Sequence, residues 1–276
     1  MKRSDFRQAL KIRWIIVRSC TIFNFKESMA FAANNWANLL SMFTYMITYL
    51  IFLGVLFGKV NQIAGYGYVD MLFFTLVSQI NFYLTSVFSQ GSIEELDNSV
   101  NIGTLDMWLV KPVPSLWFAT FQRINLNQFI FGGVPAIIPT LVIMSGKWSA
   151  LVMTFPGIIS GILCIFMGQV VIHCFQFMMA MTAFFTGEGK QAKNMALELS
   201  LFADSVPYEG YPNFLKIMGF TIIPFIIHTA LATSFFLGKT TNYALLLYVF
   251  VLMLAFLWGK SALWKLALKH YSSASS

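Results

Sequence analysis

Residues 92–123 read SIEELDNSVNIGTLDMWLVKPVPSLWFATFQR, and this stretch decides the fold because it interrupts an otherwise lipid-like chain with an acidic, amphipathic, proline-stopped segment. Ser92 followed three positions later by Glu95 predicts a helix start with a capping box. The apolar residues recur at helical spacing: Ile93, Leu96 and Val100. We therefore predict a short amphipathic helix on the cytoplasmic side, in contact with another protein.

The sequence also predicts where this helix ends. Gly103 is placed to end it, and the prolines of Lys111–Pro114 cannot continue a helix because they lack the backbone N–H and restrict the preceding residue. A stiff corner is therefore predicted, from which the next apolar segment starts near Ser115.

Outward from this stretch, the chain has the composition of an integral membrane protein. Of its 276 residues, 58% are hydrophobic, only 11% are charged and 29 are Phe, which a water-exposed globule does not show. A charge at the bilayer centre costs roughly 2.5–3.5 kcal/mol, so charge-free runs mark the crossings. Six such runs are long enough to cross: Ser28–Gly58, Met71–Ile93, Ile124–Gly146, Trp148–Gly187, Ile217–Gly238 and Thr240–Gly259.

The charges predict the orientation of these six helices. With a cytoplasmic N-terminus, the seven Lys and Arg residues of positions 1–26 fall inside, together with Lys111, Arg123, Lys190, Lys193, Lys260, Lys265 and Lys269. Only Lys59, Lys147 and Lys239 fall outside, and Lys216 is undecided. This asymmetry predicts that both termini are cytoplasmic. It also accounts for the net charge of +7, and no basic and aromatic nucleic-acid module accompanies it.

The N-terminal region 1–27 has the pattern of an elbow helix that lies in the headgroup plane. Apolar residues such as Leu10 and Trp14 fall on one helical face, and basic residues such as Arg7 and Lys11 fall on another. A solvated basic tail is the alternative.

Several polar residues interrupt the apolar runs, and they are candidates for a substrate pathway: Gln79, Asn81, Tyr83, Asn125, Gln128, Gln169, His173 and Gln176. Hydrogen bonds between helices are an equally good interpretation of the amides, and a better one of His173. We expect no metal at His173, since no second ligand lies at a suitable spacing. Cys20, Cys164 and Cys174 are expected to be reduced. No catalytic constellation is visible, so we expect a protein that is not itself an enzyme.

Two sequence blocks carry a family resemblance. Ile102-Gly103-Thr104-Leu105-Asp106, followed by Leu109-Val110-Lys111-Pro112, resembles the "G-x-L-D-x-L-L-x-K/R-P" signature between the second and third spans of ABC-2 type exporter permeases. Val206–Pro212 with Ile222–Phe225 is similar to that family's "Y-P-x-x-x-Y-P-x-x-L-R…I-P-F" region before the last span. The resemblance covers essentially the whole chain and is closest to the bacterial branch labelled ABC-2 family transporter protein.

The resemblance implies an all-α, type V exporter-like fold: one transmembrane domain over residues 1–276, with an elbow helix, six spans and a coupling helix at 92–106. It implies that residues 206–238 hold a pair of short outer re-entrant helices, with span five then built from Asn194–Tyr211. The alternative is that Ile217–Gly238 itself crosses and that Gln191–Asn213 is a cytoplasmic surface segment. The implied coupling residues are Ser92, Ile93, Glu94, Glu95, Leu96, Asp97, Val100, Gly103, Leu105 and Asp106.

The resemblance also implies a function. The chain would be the permease subunit of an ATP-binding-cassette exporter in the bacterial cytoplasmic (inner) membrane, moving an amphipathic or apolar substrate out of the cytoplasm or inner leaflet. Its partners would be two copies of a cytosolic ATPase, which hold ATP and Mg²⁺, and a second permease subunit, identical or homologous. An ATP-independent secondary transporter or channel, or a membrane anchor subunit, is the alternative. The substrate stays open among lipid, drug-like amphiphile, glycan and peptide.

Overall fold

A computed structural model describes residues 3–187, 194–195, 198 and 205–271. Nine helices account for most of this part, and it contains no β-strand, as the sequence predicts. In chain order they are α1 Arg3–Met29, α2 Ala32–Phe57, α3 Tyr68–Asn101, α4 Asp106–Leu109, α5 Ser115–Met144, α6 Phe155–Thr186, α7 Asn213–Thr221, α8 Ile227–Phe236 and α9 Ala244–His270.

Five of these helices, α2, α3, α5, α6 and α9, are long and apolar enough to cross a membrane. Each overlaps one of the predicted charge-free runs, but α3, α5 and α9 extend beyond theirs to include Glu94, Arg123 and Lys260, respectively. The sixth run, Ile217–Gly238, does not form one long helix, so the prediction of six spans is not confirmed. It folds as the two short helices α7 and α8, separated by residues 222–226. At about 1.5 Å per residue neither reaches the roughly 30 Å of a bilayer core.

Pro224 explains why this run breaks, because it has no N–H to donate to the preceding turn. The chain folds back so closely that a Cβ on Gly219 would overlap the side chain of Ile226. Asn194–Tyr211, the alternative location for span five, and Gln191–Asn213, the alternative cytoplasmic surface segment, both lie partly outside the described residues.

The long helices run between two ends of the molecule. We call them the Arg123 end and the Lys239 end, after one residue at each. At the Arg123 end, the C-terminal half of α1, the loop between α3 and α5, and the last turns of α9 meet in one apolar cluster. At the Lys239 end, Lys239 pairs with Asp70 at 3.0 Å and donates to Gly65 O at 2.9 Å. Lys216 belongs to this end, where its Nζ lies over the ring of Tyr208. The C-terminal half of α1 and the C-terminal end of α9 therefore both lie at the Arg123 end.

Helix α5 is interrupted, but not where Pro135 and Pro139 predict a kink. The break lies at residues 122–125, and other helices satisfy its backbone groups. Asn24 Nδ2 donates to Gln122 O at 2.9 Å, and the N–H of Asn125 donates to Val87 O at 3.0 Å. A break inside an apolar run is tolerated because its polar groups find partners.

Helix α6 lies at the centre, packed on α3, α8 and α9. It begins at Phe155, beside the predicted start at Pro156, and Thr154 Oγ1 caps it by accepting from the N–H of Gly157 at 3.2 Å. A Cβ on Gly157 would lie 2.6 Å from Phe235 O, and one on Gly161 would overlap the Phe236 ring. Gly157 and Gly161 form a GxxxG pair, and the absence of side chains there allows the close approach of α8.

Candidate functional site

The segment predicted as a separate coupling helix is the continuation of α3. Tyr68–Asn101 is one 34-residue helix that contains a π-helical turn at Ser86–Gln90. The predicted capping box at Ser92 does not form, because Gln90 is already helical and no helix starts there. The Ser92 hydroxyl instead accepts a hydrogen bond from the N–H of Arg123 at 3.3 Å.

Most of the predicted coupling residues pack inside this chain. Ile93, Leu96 and Leu105 are buried in the apolar cluster of the Arg123 end. Ser92 and Asp97 are buried as well, and only Glu94 is fully exposed. Four others are half-buried: Glu95, Val100, Gly103 and Asp106. The buried residues can hold the segment in place, but they are not available to a partner. A partner would have to contact the exposed residues of the segment.

The outer surface of the segment is an apolar tip, which we define as Ile102, Met107, Leu109 and Val110. Ile102 is 69% exposed and Val110 is 83% exposed. Gly103, with a φ of 75°, turns the chain between α3 and α4, so that these residues face outward together. None of the four tip residues is among the predicted coupling residues, which lie within Ser92–Asp106 and include its acidic side chains. The signal available was four large apolar residues beside a glycine turn and a double proline.

Arg123 holds this segment to the rest of the chain. It pairs with Glu27 of α1 at 2.6 Å and with Glu95 of α3 at 3.3 Å, and its guanidinium donates to Asn24 Oδ1 at 3.3 Å. Because Arg123 lies in the break of α5, one side chain joins three helices. From the sequence, Arg123 is predicted only as one of the cytoplasmic charges.

A ladder of hydrogen bonds joins α3 to α6. Gln169 Nε2 donates to Asn81 Oδ1 at 2.9 Å, and Thr85 donates to Gln169 Oε1 at 3.0 Å. One turn further, the Ser89 hydroxyl lies 2.8 Å from His173 Nδ1. Asn81 also donates to His228 O of α8 at 2.7 Å. Three predicted pathway residues, Asn81, Gln169 and His173, thus bond helices together, in keeping with the interhelical interpretation.

The ladder ends on a buried lysine. Lys260 was predicted to mark the end of the last span, but α9 continues to His270 and Lys260 is only 5% exposed. Its Nζ donates to Thr120 Oγ1 at 2.8 Å, lies 2.9 Å from His173 Nε2, and sits 3.9 Å from the centre of the Phe177 ring. Lys260 therefore joins α9 to α5 and α6.

A cavity of about 610 Å³ lies between α2 and α3. Gln79 and Tyr83, two of the predicted pathway residues, line it with mainly apolar and aromatic neighbours. Ser205, Val206 and Pro207, which we call the cover, line it near the Lys239 end. Pockets of roughly 300–1,000 Å³ suit drug-sized ligands.

The remaining predicted pathway residues lie elsewhere. Asn125 and Gln128 line a smaller pocket of about 140 Å³ beside the turn between α1 and α2. Gln176 is buried in α6, and its Nε2 has no hydrogen-bond partner within the described ranges. The eight residues therefore divide between the ladder, the cavity, the small pocket and the core.

The Lys239 end is closed by a hydrogen-bond network around Glu209. Tyr66 donates to one carboxylate oxygen of Glu209 at 2.7 Å, and Ser234 donates to the other. Burial, with the nearby Glu209 charge, raises the pKa of the Tyr66 phenol, so Tyr66 remains a donor. Because Glu209 closely follows the residues that cover the cavity, this network holds the cover in place.

Comparison with known proteins gives one match. A family model described as "ABC-2 family transporter protein" matches residues 43–275, which include four of the five candidate spans in full and most of α2. No curated protein and no solved structure matches the chain.

Proposed function

Because this chain belongs to the ABC-2 family of transporter proteins, we propose that it is the permease subunit of an ATP-binding-cassette exporter, driven by a separate cytosolic ATPase. Two ATPase copies, holding ATP and Mg²⁺, would serve a pair of permease subunits, identical or homologous. The chain is a multi-pass membrane protein, and we place it in the bacterial inner membrane. The Arg123 end is its cytoplasmic face, since it gathers most of the Lys and Arg residues.

The observation that carries this proposal is the continuity of α3. One helix of about 51 Å (34 residues at 1.5 Å each) runs from the wall of the large cavity to the apolar tip. A partner that binds the tip can therefore move the cavity wall as a rigid body. An exposed apolar loop after a rigid helix suits insertion into a groove of the partner.

The hydrogen-bond ladder supports the same mechanism. Asn81, Thr85 and Ser89 fix one side of α3 to α6 at its middle, while residues on another side line the cavity. The π-helical turn at Ser86–Gln90 lies at the same level, and the helix continues through it. Movement of the tip would thus pivot α3 about the ladder.

The large cavity indicates the class of substrate. Its lining combines apolar side chains, such as Leu53 and Met71, with three tyrosines and the amide of Gln79. A site of this kind buries an apolar body and orients a few polar groups. We therefore propose an amphipathic or apolar substrate, which is released at the Lys239 end when the cover around Glu209 opens.

Photocrosslinking tests the proposed coupling surface. A photoreactive phenylalanine analogue is placed at Ile102 or at Val110, both largely exposed, and the chain is irradiated in membranes of the source cells. We expect an adduct whose mass spectrum contains peptides of an ATP-binding-cassette ATPase. The same analogue at Phe52 of α2, which is 59% exposed, is the matched control and should give no such adduct.

Loss of the contact can be tested with charge. Replacing Ile102 and Val110 with Asp should abolish co-purification of that ATPase while the chain still inserts, because neither side chain is buried. Co-purification that survives the double substitution, or an ATPase adduct that forms equally from position 52, would refute the assignment of the tip.

A further inference from the structure

Six amide side chains surround the small pocket beside the turn between α1 and α2. They come from the first turns of α2 and from the break of α5: Asn34, Asn35, Asn38, Asn125, Asn127 and Gln128. We call this the amide pocket. Neither the cavity between α2 and α3 nor the apolar tip shares a residue with it.

The hydrogen bonds of the amide pocket fix which atoms face inward. Asn35 Nδ2 donates to the carbonyl of Ser28 at 2.9 Å, which can only accept. The other amide atom of Asn35, Oδ1, must therefore be the one that accepts from Asn127 Nδ2 at 2.8 Å. Asn127 uses its Nδ2 in this bond, so its Oδ1 remains available to accept a hydrogen bond. Neither amide can be flipped without losing a bond.

This leftover oxygen is a buried acceptor without a donor. Asn127 is 5% exposed, and within the residues that the structure describes its Oδ1 has no hydrogen-bond partner. The same holds for Oδ1 of Asn125. Buried polar atoms without partners are uncommon in native proteins and call for a reason. Both residues line the amide pocket, and a ligand that supplies hydrogen-bond donors would satisfy these oxygens once the amides turn toward it.

The lining also indicates that this ligand is neutral. Among the residues that the structure describes, no charged side chain lines the pocket. The nearest charges in sequence, Glu27 and Arg123, pair with each other at 2.6 Å. A buried ion without a counter-charge would be costly. Hydroxyl groups fit better, because each can donate to an amide oxygen and accept from an amide NH₂.

The size of the pocket agrees with such a group. A single water needs about 10–15 Å³ of cavity volume, and the amide pocket offers about 140 Å³. It is therefore large enough for a small organic group that carries several hydroxyls. We propose that the amide pocket binds a neutral, hydroxyl-rich group, which is a sugar either free or as the headgroup of a glycolipid.

Native mass spectrometry of the purified full-length chain in detergent tests this proposal. The probes are a monoglucosyl diacylglycerol and a phosphatidylcholine with the same acyl chains, and free glucose is titrated separately by calorimetry. We expect the glucolipid to bind more tightly than the phosphatidylcholine. Binding of glucolipid alone identifies a lipid headgroup, and binding of glucose as well identifies a site that accepts the free sugar; both results support the proposal.

Three substitutions make the test specific. Asn38→Ala removes an amide that makes no hydrogen bond within the described residues, and it should weaken glucolipid binding about fivefold, the effect of one lost hydrogen bond. Asn127→Leu should weaken it further, but it also removes the bond to Asn35, so Asn38→Ala keeps the test valid if that variant misfolds. Asn61→Ala, an exposed asparagine outside the pocket, is the matched control.

Equal binding of the two lipids, with no binding of glucose, would overturn the proposal. So would glucolipid binding that Asn38→Ala leaves at the level of Asn61→Ala. The outcome is independent of the proposed coupling surface, because ATPase crosslinking at the tip does not involve the amide pocket.

Discussion

The contact between α6 and α8 at Gly168 gives the sharpest prediction about stability. A Cβ at this position would lie 2.8 Å from His228 Cα and 2.9 Å from His228 N. Since the obstacle is backbone, no side-chain rotation can relieve it, and α8 must move away. Overpacking of this kind costs about 1–3 kcal/mol, whereas alanine in place of glycine returns about 1 kcal/mol of helix propensity.

Movement of α8 also strains the bond from Asn81 Nδ2 to His228 O, which is 2.7 Å long and buried. A buried donor that loses its acceptor costs a further ~1–3 kcal/mol. We therefore expect Gly168→Ala to reduce the free energy of unfolding by about 2 kcal/mol, the sum of a partial loss of each contact less the gain in propensity.

The assay is thermal unfolding of the detergent-solubilised chain, followed by tryptophan fluorescence. At roughly 2–4 °C per kcal/mol for a chain of this size, the midpoint should fall by about 4–8 °C. Gly54→Ala is the matched control, because a Cβ on Gly54 meets nothing within 4 Å, and its midpoint should be unchanged or higher. Equal midpoints for the two variants would refute the described packing of α6 on α8.

Two further predictions concern single side chains. Lys260→Met removes the buried donor shared by Thr120 and His173 and should destabilise the chain by about 1–3 kcal/mol in the same assay. Lys265→Met, at an exposed position of the same helix, should leave the stability unchanged. Equal unfolding midpoints for the two variants would show that Lys260 does not stabilise the ladder. Burial raises the pKa of the Cys20 thiol above 9.0, so its thiolate fraction at pH 8 is reduced. In chains whose Cys164 and Cys174 are alanine, maleimide should therefore label Cys20 more slowly than the exposed position 19 in a Ser19→Cys, Cys20→Ala variant; equal rates at pH 8 would contradict this.

The long helices could be predicted from the sequence because a charge inside a bilayer is excluded locally, residue by residue. All five candidate spans lie where charge-free runs occur. The rule fails for Ile217–Gly238, where a single proline and a tight approach at Gly219 divide an equally apolar run. An apolar composition predicts that a segment can lie in lipid. It does not predict whether the segment forms one continuous helix.

The candidate site was predicted less well, because the decisive contacts are long-range. Ser92 and Glu95 have the spacing of a capping box, yet both interact with Arg123, about thirty positions away in sequence. Lys260 was assigned to the cytoplasm because a lysine normally ends a span. The partners that allow its burial, Thr120 and His173, lie on other helices. No sequence pattern near Lys260 indicates these contacts.

The positions along α3 determine how a force at the tip would reach the cavity. The ladder from Asn81 to Ser89 is centred on Thr85, which lies about 24 Å along the helix from Asn101, at 1.5 Å per residue. Met71 in the cavity wall lies about 21 Å in the other direction. If the ladder is the pivot, the cavity wall moves about as far as the tip, and in the opposite sense. In the proposed transporter, a partner that draws the two tips of a permease pair together would therefore spread the cavity walls at the Lys239 end. Loosening the ladder, as Lys260→Met does through His173, should weaken this transmission without changing the affinity of the tip for the proposed ATPase partner.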